Sequence, residues 1–372
     1  MALTTVSSDR LSTNVKNTNF TAAEKQDLTD DILPLAGQLG NRNLIINGAM
    51  QVAQRGTSST ATGYQTIDRI NQQFSGTDEA PTFAQVDVAS GTTPYTNGFR
   101  KALKITNGNQ TSGAGASDYI YAQTVLEAQD IANSGWNYTS ASSYITISYW
   151  VKSSVAQNFY GLITSSDGTA QAYVWETGSL TADTWTKITK TIPGNSNLVF
   201  NNDNGAGMYV APIRAFDGTD RTGSMSLNSW AAYSGSARTP DQTSTWYTTN
   251  NATLEITGLQ LEVGSVATTF EHMLFVDELK RCQRYCQISR VSVYENGNGS
   301  NHALSCNTPF FAELRATPTA TLVSATHTTN VDTSTYIPST VGVDARGFVV
   351  RVITPNNNAC DYRALWKFEA EL

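Results

Sequence analysis

The sequence predicts a mainly β chain: a jelly-roll β-sandwich preceded by a short N-terminal helical segment and followed by a small C-terminal β domain. Three observations predict it. Runs such as Tyr119-Ile120-Tyr121-Ala122-Gln123-Thr124-Val125, Tyr144 to Val151 and Trp185 to Ile192 alternate bulky apolar residues with small or polar ones. That period of two marks a strand with one buried face. Gly and Asn clusters, Asn107-Gly108-Asn109 and Asn201 to Gly205 among them, punctuate these runs as turns. Charged residues make up only 15% of the 372 residues, and Ser, Thr, Asn, Gln and Gly take their place. Uncharged polar side chains suit exposed strand faces, where like charges directly opposite would repel.

The elements follow in order. In residues 1–41, Thr21 and Glu24 form a capping box, and Leu28, Ile32, Leu35 and Leu39 make a short apolar seam. Pro34 ends the helix near Leu33, since an internal proline removes a hydrogen bond and clashes with the preceding turn. A helix so short needs partners for its seam, so 1–41 reads as an attachment or oligomerisation segment, with a helix folded back onto its own domain as the alternative. Residues 42–272 carry the regular short strands of the sandwich. Residues 273–288 read as a linker helix with Leu279, Cys282 and Cys286 on one stripe. The tail, 289–372, is β again, and Phe348 to Ile353 with Ala364 to Ala370 reads as a terminal hairpin.

Composition also excludes. A net charge of −7 without a basic run argues against a nucleic acid partner. No stretch reaches eighteen apolar residues, so no transmembrane helix and no membrane insertion are expected. The N-terminus lacks the basic-then-apolar plan of a signal peptide. Cys282, Cys286, Cys306 and Cys360 read as buried free thiols, with a bridge from the helix to Cys306 or Cys360 as the alternative. His272, His302 and His327 are the only histidines, and none sits beside a nucleophile motif. No enzyme, catalytic residue, metal site or cofactor is expected.

Two phrases bracket the sandwich. Asn43-Leu44-Ile45-Ile46-Asn47-Gly48 opens it, with Gln54-Arg55-Gly56 and Asp68-Arg69 behind. Ile256-Thr257-Gly258-Leu259-Gln260-Leu261-Glu262-Val263-Gly264 closes it, followed by Phe270-Glu271-His272 and Cys282-Gln283-Arg284-Tyr285. Each phrase reads as an apolar strand ended by a glycine turn, the first and last strands of the domain. Together they resemble the carbohydrate-binding-module-like jelly-roll domain of tailed-phage fibre and virion structural proteins, over roughly residues 42–288. The resemblance implies a virion protein of the phage tail, assembled in the host cytoplasm as a homotrimer. It implies attachment to other virion proteins through residues 1–41 and a host-surface glycan as ligand. A head or tail decoration protein without a ligand is the alternative, and a glycan-cleaving tail spike stands behind both.

Asn47, Gly48, Gln54, Arg55, Asp68, Arg69, Gln260, Glu262 and Glu271 are the structural motif positions of that resemblance. Many such sandwiches place an acidic residue where this chain has Gln51, which speaks against the structural calcium they carry. A glycan site needs aromatic faces beside amides and carboxylates. Trp230, Tyr233, Asp241, Trp246 and Tyr247, in polar sequence, are the candidates.

Overall fold

The alternating runs form strands where their periodicity places them. The computed structural model describes residues 41–218, 225–296, 302–332 and 342–372. The helix expected after Thr21, with its seam, lies outside the described residues. The chain divides into two compact units, Met1–Arg42 and Asn43–Leu372, and every described strand belongs to the second.

The first part of that unit runs β1 (Ser58–Ser59), β2 (Asn71–Ser75), β3 (Thr82–Asp87), α1 (Thr93–Thr96), β4 (Lys101–Thr106), β5 (Tyr119–Glu127) and α2 (Ala128–Ala132). It continues through β6 (Tyr144–Ser153), β7 (Asn158–Ser165), β8 (Gln171–Ser179), β9 (Thr186–Pro193) and β10 (Ala206–Asp217). β11 (Trp230–Ala232), α3 (Thr245–Thr248) and β12 (Thr253–Val263) complete it. Two six-stranded sheets result, ordered β1-β3-β4-β12-β6-β9 and β11-β8-β7-β10-β5-β2. They enclose one apolar core that includes Phe83, Ile147, Trp175 and Ile213. This is a jelly-roll-like antiparallel sandwich.

In β6, Ile145, Ile147, Tyr149 and Val151 alternate into that core. Their neighbours Thr146 and Ser148 are buried as well, on the opposite face. There the Thr146 hydroxyl donates to the Gly264 carbonyl (2.8 Å), and Trp150 packs beside Phe99 and Phe270. The segment after β12 therefore covers the back of its own sheet.

The opening phrase is not a strand. Asn43 to Gly48 forms turns because Asn47 (φ 62°) and Met50 (φ 58°) take left-handed conformations that end any extended run. It is still bonded to the closing phrase, since the Leu44 amide donates to Leu261 and the Leu259 amide to Gly48, both at 2.9 Å. The closing phrase is the strand expected, the last of this sandwich: β12 ends at Val263 and lies between β4 and β6.

The rest of the unit comprises α4 (Phe275–Gln283), β13 (Cys286–Glu295), β14 (His302–Pro309), β15 (Thr319–Thr329), β16 (Gly347–Thr354) and β17 (Cys360–Glu369). α4 ends before the sequence suggests, because Cys286 already pairs with Glu369 in the β13–β17 ladder. Cys282 and Cys286 thus share no helical stripe. All four thiols are free, with Cys282, Cys286 and Cys360 buried. The expected terminal hairpin also fails. β16 pairs with β14, while β17 lies between β13 and β15. The physical reason is that both strands carry an apolar face. Stacking the sheets buries each against the other, Phe348 meeting Phe368 at 4.2 Å, where side-by-side pairing would leave both bare.

Candidate functional site

The nine motif residues converge, and they do so inside the protein. Asn47 Oδ1 accepts from the Val52 amide, and its Nδ2 donates to the carbonyls of Val52 and Asp68 at 2.8 and 2.9 Å. The Asn47 amide donates to Glu278 of α4 at 2.6 Å. Gln260 donates to Glu262 (2.9 Å) and accepts from the Glu271 amide (2.8 Å), while Glu271 accepts from the Asn43 amide at 2.8 Å. Each bond joins residues that turn geometry would otherwise leave with unpaired buried polar groups. Gly48 is required by close approach. A side chain there would overlap the Leu259 carbonyl oxygen of the central strand β12. Gly48→Ala is expected to destabilise the fold by about 1–3 kcal/mol, read as a lower urea midpoint.

Gln54, Arg55, Asp68 and Arg69 form a junction between the sandwich and the C-terminal strands. Arg55 Nε lies 2.6 Å from Glu369 and its Nη2 2.7 Å from Glu371, while Nη1 is 3.3 Å from Asp68. Arg69 pairs with the other oxygen of Glu371, donates to the Val125 carbonyl and stacks 3.4 Å over the Tyr285 ring. Gln54 Nε2 bonds the Cys286 carbonyl at 2.9 Å. Arg284 holds Glu127 with two bonds of 2.7 and 2.8 Å, and the Tyr285 hydroxyl donates to the same carboxylate at 2.6 Å. Side chains of Arg55, Arg69, Asp68 and Glu127 are at most 2% exposed. Buried charges persist only when paired in this way.

Burial alone would raise the carboxyl pKa values here. For Glu127 the bonds from Arg284 and Tyr285 outweigh burial and hold it below its ordinary 4.5. For Glu369 the bond from Arg55 does the same. Asp68 and Glu278 go the other way, pushed up by burial despite Arg55 and the Asn47 amide respectively. Burial also pushes the Cys286 thiol up to about 12, which makes it a poor nucleophile. The sign for stability follows. Glu127 and Glu369, depressed in the fold, contribute stability that is fully present above about pH 4.5 and lost as pH falls through their lowered values. Glu278 acts oppositely. Glu127→Gln is therefore expected to flatten the acid limb of the stability–pH curve below pH 4.5, measured by urea unfolding at stepped pH.

The glycan candidates separate. Trp246 and Tyr247, on α3, are 0% and 1% exposed and belong to the sandwich core. Trp246 Nε1 donates to the Thr253 carbonyl (3.1 Å), and the Tyr247 hydroxyl donates to Asp118 (2.8 Å) with its ring stacked on Phe216. Rings with no free face cannot stack on a sugar, so these two are corrected to core residues. Trp230 is half-buried, tilted against Tyr173 with its Nε1 donating to the Pro193 carbonyl at 2.7 Å. Tyr233 and Asp241 are exposed.

A second buried charge group fixes the chain segment that carries them. Arg214 Nε lies 2.7 Å from Asp217, and Arg238 lies 3.7 Å from the other oxygen of that carboxylate. Arg214 also stacks 3.6 Å over Tyr121. Gln242 donates to the carbonyls of Arg214 and Ala215, both at 3.1 Å. Met225 and Leu227 pack against Tyr160, Leu162 and Val174 of the same sheet. Met225 and Leu227 thus cover the outer face of β7 and β8, residues 230–232 extend the sheet as its edge strand β11, and Arg238 and Gln242 return to β10, with Tyr233 and Asp241 exposed on this segment.

The residues near Gln51 do not fit a structural calcium. The carbonyls of Met50 and Gln51 both accept from Gln85 Nε2, at 2.6 and 3.1 Å, so an amide already takes the oxygens a cation would use. Among the described residues no three His, Cys, Asp or Glu side chains are placed to hold a metal.

No protein-family model and no curated protein matches the chain. Among solved structures, the enzymatically active domain of tailspike protein 4 of bacteriophage CBA120 matches at 8% identity and a TM-score of 0.31. That match covers 60% of this chain and 21% of the tailspike chain. The CBM22-1 xylan-binding domain of Paenibacillus barcinonensis matches at 10% identity and a TM-score of 0.29, covering 60% of this chain and 96% of that one. The family 11 carbohydrate-binding module of a Clostridium thermocellum cellulase matches at 11% identity and 0.25, covering 56% and 95%. Scores this low identify neither a family nor a ligand, and the sandwich assignment stands on the strand order itself.

Proposed function

We propose that the chain is a structural component of a tailed-phage virion, a tail fibre that attaches to glycan on the host surface without cleaving it. The observation that carries this reading is the burial of the motif. Residues that mark the resemblance to virion proteins hold one module to the next through paired charges, and no ligand would reach them. Such a junction suits a part that must transmit load along a particle. On this reading residues 1–41 attach the chain to other tail proteins and gather copies into a homotrimer. The glycan lies against the outward face of residues 225–242, with the exposed Tyr233 and the rim of Trp230 as stacking faces and Asp241 for hydroxyls. Weak sites on an oligomer gain avidity from effective concentration. A ligand-free decoration protein is the second reading, favoured by the loss of Trp246 and Tyr247 to the core. A glycan array probed with the intact oligomer, together with a map of the labelled virion, tests both. Array binding that Tyr233→Ala removes, with label on the tail, supports the fibre; a silent array with label on the head overturns it. Cleavage of a bound polysaccharide would favour the tail-spike alternative.

A further inference from the structure

The seven tryptophans fall into two groups. Five donate the indole N–H to an oxygen of the protein, Trp230 and Trp246 among them. Trp150 and Trp185 donate theirs to no group among the described residues. Neither nitrogen is buried without a partner, so both reach the surface. Both side chains are half-buried and pack against the cluster of Phe99 and Ala102, which holds the rings in place.

The two rings share one face of one sheet. Tyr149 and Val151 of β6 and Ile188 of β9 face the sandwich core, so Trp150, Lys152 and Lys187 take the outer face. Trp150 is directly opposite Lys187, and Val151 opposite Thr186 makes Trp185 the cross-strand neighbour of Lys152. Tryptophan and lysine therefore alternate as a checkerboard. On the other side of β6, Lys152 is opposite Glu255 of β12, which is opposite Lys104 of β4. Glu255 holds Lys152 at 3.1 Å, with the Lys152 ammonium 5.3 Å from the centre of the Trp185 ring. Lys104 and Lys187 have no carboxylate partner among the described residues. Three lysines against one glutamate make this face locally positive in a chain of net charge −7.

We propose that the outer face of β4, β12, β6 and β9 binds an acidic carbohydrate, a sugar chain that carries carboxylates on successive units. The rings supply an apolar surface for the C–H faces of the sugar, and their free N–H groups donate to its oxygens. Charge complementarity selects the acidic class, because Lys104 and Lys187 find in its carboxylates the partners they lack. Those two lysines stand three strand spacings apart, about 14 Å, too far to share one carboxylate. The ligand is therefore a chain and not a single acidic sugar. A nucleic acid, charged at every phosphate, would meet the negative field of the rest of the molecule. This face belongs to the other sheet from Tyr233 and Asp241, so the inference stands apart from the glycan surface proposed for residues 225–242.

The test titrates the full chain with a galacturonate trimer and follows tryptophan fluorescence. Galacturonate monomer, a neutral galactose trimer and a short oligothymidylate are the comparison ligands. The expected result is a saturable change with the acidic trimer, at least about tenfold tighter than with any of the other three. It should weaken in about 0.5 M salt, which screens the lysines. Lys104→Gln with Lys187→Gln should reduce affinity about tenfold or more at an unchanged urea midpoint. Trp185→Ala should remove binding, and Tyr233→Ala should leave it intact. Absence of a saturable change up to about 10 mM overturns the proposal. So does equal affinity for the neutral trimer, the monomer or oligothymidylate, or binding that the lysine pair does not weaken. Binding lost in Tyr233→Ala but kept in the lysine pair would belong to residues 225–242 and overturns it too. The lysine pair removes charge without emptying a packed position, so misfolding of Trp185→Ala would not rescue the idea.

Discussion

Arg69→Ala is expected to lower the unfolding free energy by about 3–5 kcal/mol, the usual cost of breaking a buried ion pair by removing one partner. Arg69 is 2% exposed and lies where β2, β5 and the C-terminal strand meet. Truncation leaves one oxygen of Glu371 and the Val125 carbonyl without their donor and opens space above the Tyr285 ring. Arg55 still holds the other oxygen of Glu371, which keeps the loss from growing further. Arg69→Lys should recover only part of it, because an ammonium lacks the planar fork that both donates twice and stacks. Urea unfolding measures the difference. A loss below 1 kcal/mol would mean that the junction is an incidental contact between two independently stable sandwiches. Pairing Arg69→Ala with Glu371→Gln should give a combined loss well below the sum, since the two groups neutralise each other.

How much of this was legible in the sequence follows from the range of the signals. Local periodicity placed β5, β6 and β9 because alternation is a property of neighbours in the chain. The junction was not legible in the same way. Arg55 meets Glu369 and Glu371 across more than 300 residues, and no spacing rule connects them. Glu127, Glu278, Glu369 and Glu371 were all missed as members of the site. A weaker signal did exist: in a chain with so few charges, an arginine beside turn residues has a reason to be there. The failed hairpin illustrates a different limit. Phe348 to Ile353 and Ala364 to Ala370 were correctly read as strands, but alternation says which face is buried and not which strand lies alongside. The opening phrase misled for a third reason. Its apolar residues suggested extension, while the left-handed Asn47 and Met50 turned the chain into a knot of side-chain bonds.

The candidate glycan residues show where composition and burial part company, and Trp246 gives the sharpest contrast. Aromatics among Thr, Asn and Gln suggest a polar loop with rings free to stack. Residues 245–248 instead make one short helical turn that drops both rings into the core. Polar neighbours make that possible. Gln157 accepts from the Trp246 amide (2.9 Å), and Asn107 donates to the carbonyls of Trp246 and Tyr247, so the turn's backbone stays satisfied while its side chains go inward. Trp246→Ala is accordingly expected to cost about 3–5 kcal/mol, the range for emptying a buried aromatic site. Tyr233→Ala, at a ring 38% exposed, should cost well under the loss at Trp246. If glycan binding exists, the two variants divide cleanly. Tyr233→Ala should lose affinity with most stability kept, and Trp246→Ala should lose stability with affinity intact at temperatures where the fold survives. The reverse pattern, stable protein with binding lost at Trp246, would mean that α3 opens to expose the ring and that the site lies beneath it.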